Sequence, residues 1–322
     1  MSTADSDRLA WALLARAARG PSRPLFELVG SVGVVEAAAV LLRGGLPDPV
    51  LRSRVEFSGG FEAAAHDLER IERLGGRLVT PDDGEWPSEL LSCLPSGSQN
   101  PGDVAPLALW VRGARSLREV TARAIAVTGS RASSGYGDRI ATEFAEDLSG
   151  RRWTVVSGAG FGIDARAHGG ALAAGRATVA ILPCGLDVAY PSAHRQLLDE
   201  IAASGVVVSE YPPGARPHRY ALLDRNRLIA ALSAAAVTVE ASVRSGSAST
   251  LRWAQRLGRP GFAVPGPVTS VTSAGCHRFI ADGLAQLVTC ADDVIDGLSQ
   301  PRTESASLLV PESGPAPGTV VP

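Results

Sequence analysis

VVSGAGFGIDARAHGGAL, residues Val155–Leu172, is the stretch whose reading decides the fold. It opens on a β-branched run that starts at Thr154, passes through glycine and serine, and from Asp164 takes on an amphipathic, helical spacing. A strand that ends in glycines and opens a helix is the βα turn of an α/β sheet. Its glycines let backbone approach an anion, and the helix start presents unpaired N–H groups. The same unit recurs on both sides. Short apolar runs at Ala124–Val127, Thr154–Val156, Thr178–Leu182, Val206–Ser209, Val237–Glu240 and Phe262–Val264 predict strands. Asp138–Leu148, Asp164–Ala174, Ala193–Ala203 and Ser247–Leu257 predict the helices between them. Such alternation implies an α/β fold, a parallel sheet with helices on both faces, whose ligands sit outside the carboxyl ends of the strands.

Three of those strand ends share a chemistry. The first gives Thr128-Gly129-Ser130-Arg131, with Gly135 and Gly137 before a helix. The second gives Ser157 to Asp164, and the fifth gives EASVRSGSAST, Glu240 to Thr250. Together they predict a broad cradle for phosphate. A dinucleotide is a poor match for it. Gly158, Gly160 and Gly162 are spaced G-x-G-x-G, with Ile163 where the fingerprint needs its third glycine, and five residues separate Gly129 from Gly135.

Charge sharpens the expectation. The chain has 322 residues and a formal net charge of −2, so any polyanion site must be local. Between Gly205 and Gly283 lie Arg216, Arg219, Arg225, Arg227, Arg244, Arg252, Arg256, Arg259 and Arg278, opposed by only Glu210, Asp224, Glu240 and Asp282. Arg131, Arg225, Arg227 and Arg244 stand beside glycine loops or in the RNR triplet and are predicted to meet the ligand; Arg252 and Arg256 read as a solvated helix face. All 31 basic residues are arginine. A Walker-type phosphate loop and a Schiff-base enzyme each need a lysine, so both are excluded.

The flanks differ. Residues 1–75 read as a small helical domain, in which Leu25–Gly45 resembles a helix-hairpin-helix (SAM-like) pair turning at Val29-Gly30-Ser31-Val32-Gly33; a plain helical turn in a small bundle fits equally. Residues 76–121 read as a connecting region with an exposed loop at Pro95–Asp103 and a short strand within Leu107–Gly113. The main domain is expected over 122–297, and the Pro-, Ser- and Gly-rich residues 298–322 as a disordered tail. Cys93, Cys184, Cys276 and Cys290 form no C-x-x-C, and the five histidines form no H-x-x-x-H, so no metal or other cofactor is expected. No signal peptide and no apolar membrane-length run is evident, which predicts a cytoplasmic protein.

Candidate catalytic groups are few. Asp164 at a helix start reads as an N-cap, Cys184 as a buried thiol without a base, and Glu240 either as a base or as the partner of a loop arginine. None predicts an enzyme.

In order along the chain, AIAVTGSR (124–131), the Val155–Leu172 stretch, TVAILPCGLDVAYP (178–191), SEYPPG (209–214), RNRLIAALS (225–233), VEASVRSGSAST (239–250) and AVPGPV (263–268) resemble the DprA/Smf family of DNA-processing proteins. The resemblance covers most of residues 122–288, with WPSELL (86–91) and LWVRG (109–113) leading into it. It implies an extended Rossmann-like domain that binds single-stranded DNA, dimerises through that domain, and loads the RecA recombinase in transformation and recombination. By position it assigns the phosphate pocket to Gly129, Ser130, Arg131, Ser157, Gly158, Gly160, Phe161, Gly162, Arg225, Asn226, Arg227, Arg244, Ser245, Gly246, Ser247 and Thr250. The family usually has arginine where this chain has Phe161, asparagines where it has His194 and His277, Phe-Pro where it has Leu222-Leu223, and often a lysine at Arg244. A C-terminal winged-helix module common in the family is not evident. Two other readings stay open. A related Rossmann-like group hydrolyses nucleotides or nucleoside phosphates, but carries PGG-x-GT-x-x-E where this chain has VRSGSAST and no acid three residues after Thr250. A sensor of a small phosphorylated ligand is the other.

Overall fold

The computed structural model describes residues 3–45, 59–94, 103–243 and 245–299. Arg244, most of the loop expected at Pro95–Asp103 and the expected tail beyond Ser299 lie outside the described residues.

In chain order the strands are β1 (Gly76–Val79), β2 (Leu109–Arg112), β3 (Ala124–Thr128), β4 (Thr154–Ser157), β5 (Thr178–Leu182), β6 (Val206–Ser209), β7 (Ala235–Thr238), β8 (Gly261–Ala263) and β9 (Gln286–Leu287). They form one sheet in the order β1-β2-β6-β5-β4-β3-β7-β8-β9. From β6 to β9 every neighbouring pair is parallel. β2 pairs antiparallel with β6, Trp110 opposite Ser209, and β1 pairs antiparallel with β2. The connecting region therefore contributes two strands at one side of the main sheet, with β1 at the edge and β2 between it and β6.

The helices are α1 (Thr3–Ala18), α2 (Arg23–Val32), α3 (Val34–Leu42), α4 (Gly60–Arg73), α5 (Ser88–Leu91), α6 (Leu117–Thr121), α7 (Gly135–Gly150), α8 (Ile163–Ala173), α9 (Arg195–Ser204), α10 (Arg219–Ala231), α11 (Ser247–Arg256), α12 (Ala274–Ala281) and α13 (Ala291–Ser299). The fold is the expected α/β class, a mostly parallel Rossmann-like sheet preceded by helices. Several local expectations shift. The fifth parallel strand is β7, two residues earlier than Val237–Glu240, so Glu240 belongs to the loop. The helical hairpin turns at one residue, Gly33 at φ 80°, because the helix runs on through Gly30 and Ser31. The expected domain limit at 297 falls inside α13.

Period-two alternation explains burial on both faces of the sheet. On β5, Val179 and Ile181 join one apolar core with Val156, Val206, Leu228 and Leu251, while Ala180 and Leu182 face the other way. That second face is covered by the N-terminal helices: Leu13, Leu14 and Leu41 pack into a core that also holds Trp110 and Val207. On the β3 half of that face, Ile125 and Val127 pack against Phe144 of α7 and Ala167 of α8. Among the described residues, no helix is long and apolar enough to cross a membrane.

The strand order reverses between β3 and β7. Chain leaving β3 turns toward β4, and chain returning later enters β7 on the opposite side, so their carboxyl ends part and leave a crevice. In open α/β sheets this switch point is where ligands sit.

Candidate functional site

A cleft of about 570 Å³ opens at that switch point, a size ordinary for ligand sites. Its floor is the β3 exit, Thr128 to Ala132. One wall is α10, through Arg219, Leu222, Leu223, Arg225, Asn226 and Ile229. The other is the loop that starts α11, through Ser242, Ser245, Gly246, Ser247 and Thr250. Of the expected residues, the structure brings together here Gly129, Ser130, Arg131, Arg225, Asn226, Ser245, Gly246, Ser247 and Thr250.

Hydrogen bonds between distant loops fix the floor. The Ser130 amide donates to the Glu240 carbonyl at 2.7 Å, tying the β3 exit to the β7 exit, and the Ile163 amide donates to the Ser130 carbonyl at 3.1 Å. Gly162 makes that approach possible: it sits at φ 70°, and a Cβ there would collide with the Ser130 carbonyl. The Glu240 carboxylate, itself buried, accepts from the Ser134 amide at 2.8 Å, the Ser134 hydroxyl at 2.7 Å and the Thr272 hydroxyl at 2.8 Å. It fastens the start of α7 and, among the described residues, pairs with no arginine. The Ser245 and Ser247 hydroxyls lie 2.8 Å apart, and the Asn226 amide donates to the Gly246 carbonyl at 3.4 Å, linking both walls.

The arginines separate into three roles. Arg131 is exposed at the mouth of the cleft. Arg225 lines the cleft but is buried; its guanidinium donates to the carbonyls of Gly158 at 2.7 Å and Ile181 at 2.9 Å. Burial pushes its pKa down, and the neighbouring Asp164 acts in the opposite direction. Arg227 is not at the cleft. It is fully buried and paired with Glu210 at 2.5 Å, so the expectation that it meets ligand is corrected. In a helix, positions 225 and 227 lie about 200° apart, so the two arginines leave α10 on opposite sides.

The Val155–Leu172 loop divides likewise. Ser157 is buried and donates to the Val127 carbonyl at 2.7 Å, and Gly158 leaves the space that Arg225 fills. Gly160 donates its amide to Asp164 at 3.1 Å. These three brace the cleft from behind. Asp164 lines the cleft and is held by this loop; burial raises its pKa while Arg225 beside it lowers it. Phe161 and Gly162 lie instead in an adjoining shallow hollow with Ala165, Arg166 and His194. Arg131 and Ala132 form the shared wall between hollow and cleft. Phe161 is 47% exposed, and its ring meets His194 edge-on at 4.8 Å. His194 donates from Nδ1 to the Ala159 carbonyl at 2.9 Å, and His277 Nε2 lies 3.0 Å from the Gly266 carbonyl, so both histidines brace loops.

Sequence reasoning missed Arg219, Leu222 and Leu223 as lining residues. With Asn226 they are spaced i, i+3, i+4, i+7, one face of α10, a signal available had a helix been read there. Cys184 is buried, and burial pushes its thiol up to about 12, which suits packing rather than nucleophilic attack. Among the described residues, no three His, Cys, Asp or Glu side chains converge to hold a metal ion.

Comparison with known proteins agrees with this architecture. Residues 77–299 match the family of DNA recombination-mediator protein A. A putative DNA processing protein DprA of Mycobacterium tuberculosis is 47% identical over 294 residues, covering 91% of this chain and 75% of that protein. The structure of DprA from Streptococcus pneumoniae superposes with a TM-score of 0.72 at 30% identity, covering 88% of this chain and 95% of that one. DNA processing protein A of Helicobacter pylori, a structure concerned with its single-stranded DNA binding mode, superposes with a TM-score of 0.58 at 26% identity, covering 69% and 95%.

Proposed function

The chain belongs to the DprA/Smf family, and on that premise we propose that the β3/β7 cleft holds the phosphates of single-stranded DNA without catalysing a reaction on it. The observation that carries this reading is the position of Arg131. It is an exposed cation on the wall shared by a glycine- and serine-lined cleft and a hollow that presents Phe161. A cation that tracks phosphate beside an aromatic face on which a base can stack is the chemistry of sequence-tolerant single-strand binding. Support also comes from the H. pylori relative, described for its single-stranded DNA binding.

Binding rather than catalysis is favoured by what the acids are doing. Asp164 is committed to the Gly160 amide, and Glu240 to Ser134 and Thr272. A general base must reach a substrate proton; the buried Glu240 carboxylate is spent on three donors and Asp164 already holds a loop amide, which supports binding over catalysis. Family membership extends the proposal to loading of RecA recombinase onto the bound strand in DNA uptake and recombination, with the chain acting as a homodimer in the cytoplasm.

The test is fluorescence anisotropy of a labelled oligothymidylate titrated with protein across a salt series. Affinity that falls steeply with salt supports the proposal. Absence of binding at low salt, with release of ribose phosphate from nucleotides, overturns it.

A further inference from the structure

We propose that a second basic hollow, where the N-terminal helices meet the segment between β6 and α10, is a phosphate subsite that lengthens the track of the bound strand; this rests on the cleft being a single-strand site. The hollow measures about 480 Å³. Four guanidinium groups line it, those of Arg16 and Arg19 from the end of α1, Arg70 from α4, and Arg216 from the β6–α10 segment. Two are answered by carboxylates: Arg16 pairs with Asp67 at 2.6 Å and Arg70 with Asp187 at 2.6 Å. Arg19 and Arg216 are exposed, and neither side chain makes a hydrogen bond or ion pair among the described residues. Two unanswered charges thus face a concave wall in a chain whose net charge is −2. A partner with closely spaced negative charges fits such a wall.

The hollow is next to the cleft. His218 lines the hollow and caps α10, its Nδ1 accepting from the Ala221 amide at 3.2 Å; Arg219, the next residue, lines the cleft. Tyr220, 60% exposed, stands beside a residue of each site, with the Arg219 guanidinium 4.8 Å from its ring centre and the His218 ring 6.4 Å away. An exposed aromatic face at the start of α10 thus adjoins residues of both cation-lined sites, an arrangement on which a flexible strand can lay phosphates and bases. Arg19 holds a left-handed backbone, φ 50°, where α1 ends, and Gly20 beside it packs on Tyr211 so closely that a Cβ would fall 2.9 Å from the Tyr211 hydroxyl. The contact seats the end of α1, and with it the backbone of Arg19, against the segment that carries Arg216, and both arginines line the one hollow. The N-terminal helices thereby contribute to binding through α1 and α4.

The experiment compares a short oligothymidylate of about six nucleotides with a long one of about twenty-four, using the full chain carrying Arg19→Asn with Arg216→Ala. Asparagine is chosen because it tolerates left-handed backbone. The expected result is unchanged affinity for the short strand, with the long strand bound about tenfold more weakly and its salt slope reduced by about 1.4, the value for two lost single-strand phosphate contacts. Arg131→Ala, in contrast, weakens both lengths. Unchanged affinity and slope for the long strand would overturn the proposal, as would an equal loss for both lengths. Failure of the unmodified chain to bind either length strikes the cleft reading itself and is thereby distinguished.

Discussion

The guanidinium of Arg225 donates to the carbonyl oxygen of Gly158 at 2.7 Å, filling space that a side chain at position 158 would need. One residue of α10 therefore bolts down the loop that follows β4, and the same guanidinium reaches the Ile181 carbonyl on β5. The floor of the cleft depends on this bolt, whereas its outward charge comes from Arg131.

Stability separates the two arginines. Arg225→Ala leaves two buried carbonyls without a donor and Asp164 without its neighbouring cation, a loss of about 3 kcal/mol. Arg225→Lys recovers little of it, because one ammonium does not reproduce the planar fork. Arg131→Ala, at an exposed position, stays within about 0.5 kcal/mol of the parent. Urea unfolding monitored by circular dichroism measures all three.

Phe161 tests how bases contribute. Phe161→Ala removes an exposed stacking face, and base–aromatic stacking is worth about 1–3 kcal/mol, so oligothymidylate binds about tenfold more weakly. Stacking releases no counterions, so the slope of log affinity against log salt stays unchanged. Phe161→Arg steepens that slope by about 0.7, one additional phosphate contact. Anisotropy across a salt series reads both quantities.

Much of this was legible in the residues. The β-branched runs marked every strand from β3 to β6, and their glycine-rich exits marked the loops that meet at the switch point. β7 was displaced because its first two residues are Ala235 and Ala236, which carry no β-branched signal, while the apolar run continues past the strand end to Val239. α10 was obscured by its own burial: Arg225, Asn226 and Arg227 are all buried, so polar residues occupy inward positions and hide the apolar period. For the same reason the RNR triplet looks uniform in sequence. Only the fold distinguishes Arg225 at the cleft from Arg227 against Glu210. β1 and β9 were invisible because four residues and two residues give no periodicity to read.

Acid sensitivity follows from a histidine away from the cleft. His168 is buried, its Nδ1 is 2.8 Å from the Thr178 hydroxyl, and burial pulls its pKa down from 6.5 to about 3. Thr178 spends its proton on the Val155 carbonyl, so the ring donates from Nδ1 and stays neutral in the folded state. Between those two values the unfolded chain binds a proton that the folded chain does not. Stability from this group is therefore complete above 6.5 and is lost as pH falls, by at most about 1.4 kcal/mol per pH unit. Burial raises the pKa values of Asp164 and Glu210, and their contributions run the opposite way, so the comparison must isolate His168. His168→Asn flattens the fall between about pH 6 and pH 4 relative to the parent, as measured by urea midpoints at each pH.

The central claim is that the cleft holds a strand's phosphates through Arg131, and the salt dependence of Arg131→Ala tests it most directly. Against a labelled oligothymidylate, the variant is predicted to bind about tenfold more weakly than the parent at low salt, with a slope shallower by about 0.7 and unaltered stability. Equal affinity and an equal slope for parent and variant would contradict the account.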